Sequence, residues 1–252
     1  MSGYRSATIL SKWKKTGWLM TDRSLRKHIP PTRLFKKDHL SSMLSRYSTV
    51  YFKPTNGSGG VNIVRIKKVR KGYHTEGSAG KATYPTIDSL YNKLKRFARG
   101  RSYVLQKGIQ LARTNGKPFD IRVMVQKTNH GKWVSTAVIA KIGKPGKVAT
   151  NYNQGGTLGY FRQTMSGAGY SHASANRKES QLKRMGVQAG RVFDRRQKGF
   201  RELGLDVALD SSGKPWILEV NTKPQFYPLK WMRDKALYRR ILSYAKAYGR
   251  SK

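Results

Sequence analysis

Alternating apolar and polar positions predict a series of β-strands along this chain of 252 residues. The clearest pair flanks Asn129-His130-Gly131, a sequence typical of a hairpin turn, and a glycine-rich turn joins another pair. The predicted strands are Thr49–Lys53, Val61–Val69, Tyr103–Gln106, Phe119–Lys127, Lys132–Ile142, Leu205–Leu209 and Trp216–Val220. Neighbouring strands with such short turns are expected to pair antiparallel.

Helices are predicted between these strands. Thr86 is suited to cap the helix that Gly100 ends, and Pro30-Pro31 stops an earlier helix. The predicted helices are Ser11–Met20, Arg23–Ile29, Leu40–Tyr47, Ile87–Ala98, Arg177–Leu203 and Leu229–Tyr248. Residues Asn151–Gly169, rich in Gly, Asn and Gln, are predicted to form a loop. The order lacks the regular βαβ alternation of a doubly wound sheet, and it therefore predicts an α+β fold.

The charge balance is the most unusual property of the sequence. Lysine and arginine total 52 and aspartate and glutamate total 12, so the formal charge is +40. The excess runs along the whole chain, and it is therefore not the property of a basic tail. A field of this sign attracts polyanions such as nucleic acid, an anionic membrane, or an acidic peptide or polymer. A generally basic proteome, or selection for solubility, would produce the same balance.

The absence of cysteine excludes disulfides, thiolate metal sites and cysteine nucleophiles, and it favours a reducing interior. The longest uncharged apolar runs, such as Trp133–Ala140, are far shorter than the roughly 20 residues of a membrane span. The first 15 residues contain no apolar segment of the kind found in secretory signals. We therefore expect a cytoplasmic protein without a membrane span.

The last predicted hairpin gathers oxygen-bearing side chains on one face. If its turn lies near residues 212–213, Asp206 faces Glu219 and Gly204 faces Asn221. Side chains two residues apart share a strand face, so the two carboxylates and the amide lie together. This donor set suits a hard cation such as Mg²⁺. The alternative is an ordinary surface hairpin whose polar residues face water.

Three further patterns carry weaker signals. The run Lys53–Gly60 lets backbone N–H groups approach phosphate oxygens closely, although a flexible turn has the same composition. Asp120 and Arg122 share a strand face, as a plain strand salt bridge also would. Asn151 and Gly155-Gly156 follow the strand that carries Lys141, in what is otherwise a polar loop.

The order of these motifs resembles that of the ATP-grasp superfamily, and most of all the YheC/YheD family of endospore coat-associated proteins of spore-forming bacilli. The similarity extends over about residues 11–230. The segments that carry it are SKW at Ser11–Trp13, IPPTRLF at Ile29–Phe35, VYFKPTNGSGG at Val50–Gly60, VLQKGIQLA at Val104–Ala112, PFDIRVMVQK at Pro118–Lys127, VATNYNQGG at Val148–Gly156 and ILEVNTKP at Ile217–Pro224.

The resemblance implies two α+β lobes, with antiparallel sheets, that grip ATP. It implies domain bounds of 1–48 for a short helical segment, 49–110 for a small lobe and 111–252 for a large lobe. Lys12 lies near the start of the sequence, so the α/β domain that usually precedes this fold is expected to be missing. In this superfamily that domain usually helps to form the site of the acceptor substrate, so its expected absence affects that site and not the ATP site.

The resemblance also implies roles for individual residues. The residues expected to bind ATP are Lys12, Lys53, Ser58, Gly59, Gly60, Gln106, Lys107, Gly108, Ile109 and Asp120. Among them, Gln106 to Ile109 resemble the hinge that binds adenine through its backbone, although position 107 is Lys where many members have an acidic residue nearby. The expected catalytic residues are Arg122, Lys141 and Asn151. The expected Mg²⁺ ligands are Asp206, Glu219 and Asn221.

The implied reaction is ADP-forming ligation of a carboxylate to an amine, or to a similar nucleophile, through an acyl phosphate. An acidic peptide or other polyanion is the expected substrate because of the basic charge, and nucleic acid is a further partner class. The alternative is a protein with this fold that binds polyanions, such as DNA or a spore coat component, with little turnover. Family resemblance adds a spore-associated location to the cytoplasmic one. The sequence does not define the oligomeric state.

Overall fold

The structure, a computed structural model, describes residues 3–57, 59–144 and 155–250. It is an α+β fold with antiparallel sheets, as predicted. The chain divides into two units. The small unit comprises Leu10–Lys14 and Pro30–Gln110, and the large unit comprises Met1–Ile9, Lys15–Ile29 and Leu111–Lys252. None of the helices in the described ranges has the length and apolar character that a membrane span requires.

The elements are numbered along the chain. The helices are α1 (Lys12–Met20), α2 (Arg23–Arg26), α3 (Lys37–Arg46), α4 (Ile87–Ala98), α5 (Phe161–Gly167), α6 (His172–Arg196) and α7 (Ala236–Lys246), with a 3-10 turn at Tyr227–Trp231. The strands are β1 (Thr32–Leu34), β2 (Thr49–Pro54), β3 (Val64–Val69), β4 (Gly72–Gly77), β5 (Ala82–Tyr84), β6 (Tyr103–Lys107), β7 (Arg113–Thr114), β8 (Lys117–Lys127), β9 (Trp133–Ile142), β10 (Thr157–Tyr160), β11 (Glu202–Leu209) and β12 (Pro215–Asn221).

The small unit is built on a six-stranded antiparallel sheet in the order β1-β6-β2-β3-β4-β5. The predicted pairing of β2 with β3 is confirmed, with Phe52 opposite Val64. Phe52 also stacks on Tyr103 with ring centres 4.0 Å apart, so the aromatic residues form much of this core. The predicted cap of α4 is present, since the Thr86 side chain accepts from the backbone of Ser89 and that serine bonds back.

The large unit has an antiparallel sheet in the order β10-β9-β8-β11-β12, with β7 paired to β8. Helix α6 packs on one face, where Gly186 lets the helix approach Val123 and Val125. Met124 packs with residues of α7 instead, because successive side chains of a strand point to opposite faces. Arg122 shares the parity of Met124, so it lies on the face away from α6.

The prediction of a loop over Asn151–Gly169 is wrong for its second half. Residues Thr157–Tyr160 form β10 at the edge of the sheet, paired with β9, and helix α5 follows at once. A Cβ on Gly159 would lie 2.8 Å from Oγ1 of Thr164 and 2.9 Å from Cδ1 of Ile142, so glycine fits this closely packed position without a shift of those side chains. The abundance of glycine, which suggested a loop, here reflects packing.

The boundaries of α6 and α7 differ most from prediction. Helix α6 begins earlier, where Ser171 caps it by accepting from the backbone of Ser174, and it ends at Arg196 rather than at Leu203. The backbone is already extended at Gln197 (φ −158°, ψ 133°), which ends the helix, and Gly199 then adopts φ +95° before β11 begins. The terminal helix begins only at Ala236, after the 3-10 turn, and its backbone N–H donates to Asp234 at 2.8 Å. The spacing of apolar residues alone did not predict where these helices begin and end.

Candidate functional site

The hairpin of β11 and β12 has the register that the sequence predicts. Asp206 lies opposite Glu219, and Gly204 lies opposite Asn221. Nδ2 of Asn221 donates to Oδ2 of Asp206 at 3.1 Å. The register shifts between Asp206 and Val207, as at a β-bulge, which increases local twist. The hairpin thus brings one carboxylate and one amide into contact and places a second carboxylate across the ladder.

Two cationic side chains from neighbouring strands hold the Asp206 carboxylate. Arg122 of β8 donates from Nε to Oδ1 at 2.8 Å and from Nη2 to Oδ2 at 3.2 Å. Nζ of Lys141 lies 2.7 Å from Oδ1 of Asp206 and 2.9 Å from Oδ1 of Asp120. These four side chains, here called the ion cluster, are only 5% to 17% exposed. The structure therefore brings together residues to which the resemblance assigns three separate roles.

Burial and charge act in opposite directions on the pKa values of the ion cluster. Burial raises the pKa of Asp206, but Arg122 and Lys141 outweigh this effect and hold that pKa well below its usual range. Burial lowers the pKa of Lys141, while Asp120 and Asp206 raise it above its ordinary value. Asp206 and Lys141 are therefore ionised at neutral pH, and pairing offsets the cost of burying their charges.

The donor chemistry around Asp206 fits a hard divalent cation. Asp206 and Glu219 offer carboxylate oxygens, and Asn221 offers an amide oxygen that its bond to Asp206 does not use. With Glu219, the ion cluster carries three negative and two positive charges, a net negative patch in a chain of +40. Across the three described ranges, no group of three or more His, Cys, Asp or Glu side chains could hold a metal ion. A cation here would therefore depend on the amide as well as on two carboxylates.

Gly204 is a part of this arrangement whose importance sequence reasoning missed. A Cβ at this position would lie 2.6 Å from Cβ of Pro224 and 3.1 Å from Cδ of Arg122. The missing side chain therefore leaves room for Arg122 to reach Asp206. Its place two residues before Asp206, on the same strand face, is the signal that could have found it.

In the small unit, Lys12 lies beside the glycine-rich turn. Nζ of Lys12 donates to the backbone carbonyl of Gly57. Gly59 and Gly60 have φ values of +71° and +75°, in the left-handed region that favours glycine. Ser58 lies outside the described residues. The phosphate-binding role of this turn stays a prediction.

Lys53 contacts the first residue of the predicted hinge. Nζ of Lys53 donates to Oε1 of Gln106 at 2.7 Å and lies 5.2 Å from the centre of the Tyr51 ring. Gln106 is buried, and its Nε2 donates to the hydroxyl of Thr32 at 3.3 Å. No pattern in the sequence predicted this contact between a residue expected to bind phosphate and a residue of the predicted hinge. Strands β2 and β6 are neighbours in the sheet, which explains the contact.

Backbone hydrogen bonds hold the next two residues of the predicted hinge. The N–H of Lys107 donates to the carbonyl of Pro31, and the N–H of Gly108 donates to the carbonyl of Thr49, each at 2.9 Å. A Cβ on Gly108 would lie 2.7 Å from Cγ2 of Thr49, so glycine is needed at this position. Ile109 is half-buried. The adenine contact of this segment stays a prediction.

Asn151 lies outside the described residues, as do all of residues 145–154. The chain resumes at Gly155, with φ +82°, just before β10. In that strand Leu158 pairs with Lys141, so the described end of the predicted loop returns to β9, the strand that carries Lys141 of the ion cluster. The catalytic role of Asn151 stays a prediction.

Comparisons with known proteins agree on one family. The family model described as YheC/D like ATP-grasp matches residues 4–250. Two proteins of Bacillus subtilis (strain 168) are similar: endospore coat-associated protein YheD, 27% identical over 224 residues, and YheC, 24% identical over 228 residues. These matches cover 86% and 84% of this chain but 49% and 59% of the relatives, so the chain spans about half the length of the curated relatives it matches.

Among solved structures, the D-alanine-D-alanine ligase from Coxiella burnetii superposes with a TM-score of 0.57. It is 11% identical, and the match covers 95% of this chain and 57% of the ligase. At this identity the similarity establishes the fold alone.

Proposed function

The chain belongs to the YheC/D-like ATP-grasp family, and we propose on this basis that it is an ATP-dependent, ADP-forming ligase. The observation that carries the proposal is the ion cluster with its neighbours Glu219 and Asn221. Two buried cations and a net negative oxygen patch lie side by side on one sheet face of an ATP-grasp fold. This combination suits the binding of a nucleotide's phosphates together with a divalent ion.

The proposed reaction proceeds through an acyl phosphate. A substrate carboxylate oxygen attacks the γ-phosphorus of ATP, the bond between that phosphorus and the bridging oxygen breaks, and ADP leaves. An amine then attacks the acyl carbon, phosphate leaves with the C–O electron pair, and the amine loses one proton to solvent. No side-chain nucleophile takes part, so the lack of cysteine is no obstacle.

The residues of the large unit would neutralise charge in this reaction. Arg122 and Lys141 would face the transferred phosphoryl group and the acyl phosphate, since both are fixed, buried cations. Asp206, Glu219 and Asn221 would hold Mg²⁺, which supplies charge neutralisation at the phosphates when bound. Asp120 keeps Lys141 ionised and in place through its contact at 2.9 Å. Asn151 is proposed to act beside them.

The residues of the small unit would bind the nucleotide. Lys12 and Lys53 are proposed to reach phosphate oxygens, and the turn with Ser58, Gly59 and Gly60 to cover them with backbone N–H groups. The hinge segment 106–109 is proposed to meet the adenine edge. The bond from Lys53 to Gln106 supports this assignment, because it couples the proposed phosphate-binding and adenine-binding parts.

We further propose an acidic peptide or similar polyanion as the substrate, and a cytoplasmic, spore-associated location. A formal charge of +40 accelerates encounters with anionic partners at low salt. The lack of cysteine suits a reducing compartment.

A second candidate function is polyanion binding with little turnover. The observation that favours it is that both carboxylate oxygens of Asp206 already accept hydrogen bonds, from Arg122, Lys141 and Asn221. The two candidates differ in one measurable property, which is the release of ADP in the presence of a carboxylate substrate.

The test measures ADP release from Mg-ATP with and without acidic peptides. We expect substrate-dependent release in the wild-type protein, and a fall of about a hundredfold in Glu219→Gln, because a lost metal ligand or charge partner typically costs that much. The control is Asp88→Asn, whose carboxylate is exposed on α4 and should leave the rate unchanged. Release that is absent with every substrate, or that Glu219→Gln leaves intact, would remove the ligase proposal.

A further inference from the structure

A groove of about 790 Å³ opens on the α6 side of the large unit. Its volume is within the range of about 300–1,000 Å³ of ligand-binding clefts. It lies between α6, the segment of α2 and the beginning of β9, and we call it the α6 groove. Its lining includes the four basic residues Lys27, Lys183, Arg184 and Arg191, whereas none of its described lining residues is Asp or Glu.

Arginines recur at every seventh position along α6. Arg177, Arg184 and Arg191 are all exposed, and we call them the arginine stripe. Seven residues advance a helix by about 10.5 Å and return a side chain to almost the same direction. The stripe therefore presents guanidinium groups in a row, and two of its three members line the α6 groove.

The carboxylates of α6 already have partners. Glu179 pairs with Lys183 at 2.6 Å, and Asp194 pairs with Lys127 at 2.8 Å. Within the described part of the chain, no member of the arginine stripe forms a salt bridge with a carboxylate. The positive charge of the stripe is therefore exposed to solvent and available to a binding partner.

The α6 groove and the ion cluster lie on opposite faces of the large unit's sheet. Val123 and Val125 contact Gly186 of α6, whereas Arg122, next to Val123 on the same strand, bonds to Asp206. A partner in the groove would therefore not compete with ligands at the ion cluster. The groove would hold a long polymer at a distance from the reacting group.

The shape and chemistry of the groove favour an acidic peptide over nucleic acid. Single-stranded nucleic acid needs exposed aromatic rings for stacking, but Trp133, the aromatic residue of the lining, is 7% exposed. An acidic chain in the polyproline II conformation repeats every three residues, about 9.3 Å, close to the spacing of the stripe.

We propose that the α6 groove binds an acidic peptide segment, whose carboxylates pair with Arg184 and Arg191. Arginine suits this role because its planar fork binds carboxylates with two parallel hydrogen bonds. The inference deepens the proposed function, on which it rests for the class of polymer. Its test contains no nucleotide, so the two can fail separately.

The experiment is fluorescence anisotropy of a labelled oligoglutamate of about twelve residues, long enough at about 3.1 Å per residue to follow the stripe. We expect the variant Arg184→Glu/Arg191→Glu to bind about tenfold more weakly than wild type, because two contacts become repulsive. The variant Arg184→Gln/Arg191→Gln should show a smaller loss in the same direction, and it keeps the test valid if charge reversal disturbs folding.

The matched control is Arg70→Glu/Lys71→Glu, an exposed pair outside the groove with the same change in net charge. It should weaken binding by less than about threefold, since the overall field changes little. Equal weakening by both charge-reversal variants would overturn the proposal, because only total charge would then matter. The proposal would also fail if a duplex DNA probe bound more tightly than oligoglutamate and was lost in the groove variant.

Discussion

At the scale of single residues, buried polar groups keep definite charges because each has a partner within reach. Asp206 remains an anion next to two cations, and Lys141 remains a cation between two carboxylates. Replacement of one member leaves the others buried without compensation, which costs more than the pair contributes. The same balance governs Asp22, which is far from the ion cluster along the chain and lends itself to a stability measurement.

Asp22 links α2 to α6 and should make stability depend on pH. Burial raises the pKa of Asp22, but hydrogen bonds from Ser24, Gln188 and the backbone of Leu25 lower it to about 2. The folded pKa is below the unfolded value of about 3.9, so this stabilisation is present above that value and is lost as the pH falls toward about 2. We expect Asp22→Ala to cost about 1–2 kcal/mol at pH 7, measured by urea unfolding.

The control for this prediction is Asp22→Asn. Asparagine caps a helix about as well as aspartate, so most of the stability at pH 7 should remain. It carries no charge, and its difference from Asp22→Ala should therefore stay constant between about pH 4 and pH 2. A wild-type protein whose advantage over Asp22→Ala did not shrink in that range would contradict the assignment.

At the scale of elements, glycines decide how closely α6 packs on the sheet. The helix carries Gly186 and Gly190 on the side that faces the strands. Glycine lowers helix propensity by about 1 kcal/mol, so its presence in a long helix needs a reason in packing. Trp133 supplies that reason at Gly190: its ring lies against the helix backbone, and its Nε1 donates to Asp194 at 2.7 Å.

We expect Gly190→Ala to destabilise the protein by about 1–2 kcal/mol, because overpacking outweighs the gain in helix propensity. The new Cβ would lie 2.5 Å from Cδ2 of Trp133, whose ring cannot move without breaking its hydrogen bond. Gly17→Ala in α1 is the matched control, since nothing lies within 4 Å of its Cβ position, and it should be neutral or stabilising. Thermal unfolding of both variants checks the prediction, and a stabilised Gly190→Ala would contradict it.

At the scale of the whole molecule, 52 basic residues repel one another across the surface. Self-repulsion of a high net charge destabilises the compact state, and salt screens it. The ion pairs inside the protein respond less to salt because they are buried. The two effects should therefore separate when ionic strength is varied.

We expect the melting temperature to rise by several degrees between about 0.01 M and 0.15 M NaCl, as the Debye length falls from about 30 Å to about 8 Å. An uncharged osmolyte at equal osmolarity is the control, and it should not reproduce the rise over this range. A melting temperature that fell with salt would mean that attractive surface pairs outweigh repulsion, contrary to the charge count.

The sequence by itself determined what depends on short separations along the chain. The period of two in β11 and β12, with a turn between them, predicted Asp206 opposite Glu219, and the structure has this pair, but it reaches the pair through the register shift between Asp206 and Val207, which the pattern did not show. The cap of α4 also depends on residues close together in the sequence, and composition alone determined the net charge. Composition misled where glycine served packing rather than a turn, as at Gly159 in β10.

Only the tertiary structure decided which charges meet. Arg122 and Asp206 are 84 residues apart, and Lys141 and Asp206 are 65 residues apart, so no local pattern records their pairing. The order of strands β9, β8 and β11 in one sheet brings them together. The same holds for the α6 groove, whose basic residues come from α6 and from the segment after α2. Side chains distant in sequence meet because burial of apolar surface fixes how the elements pack.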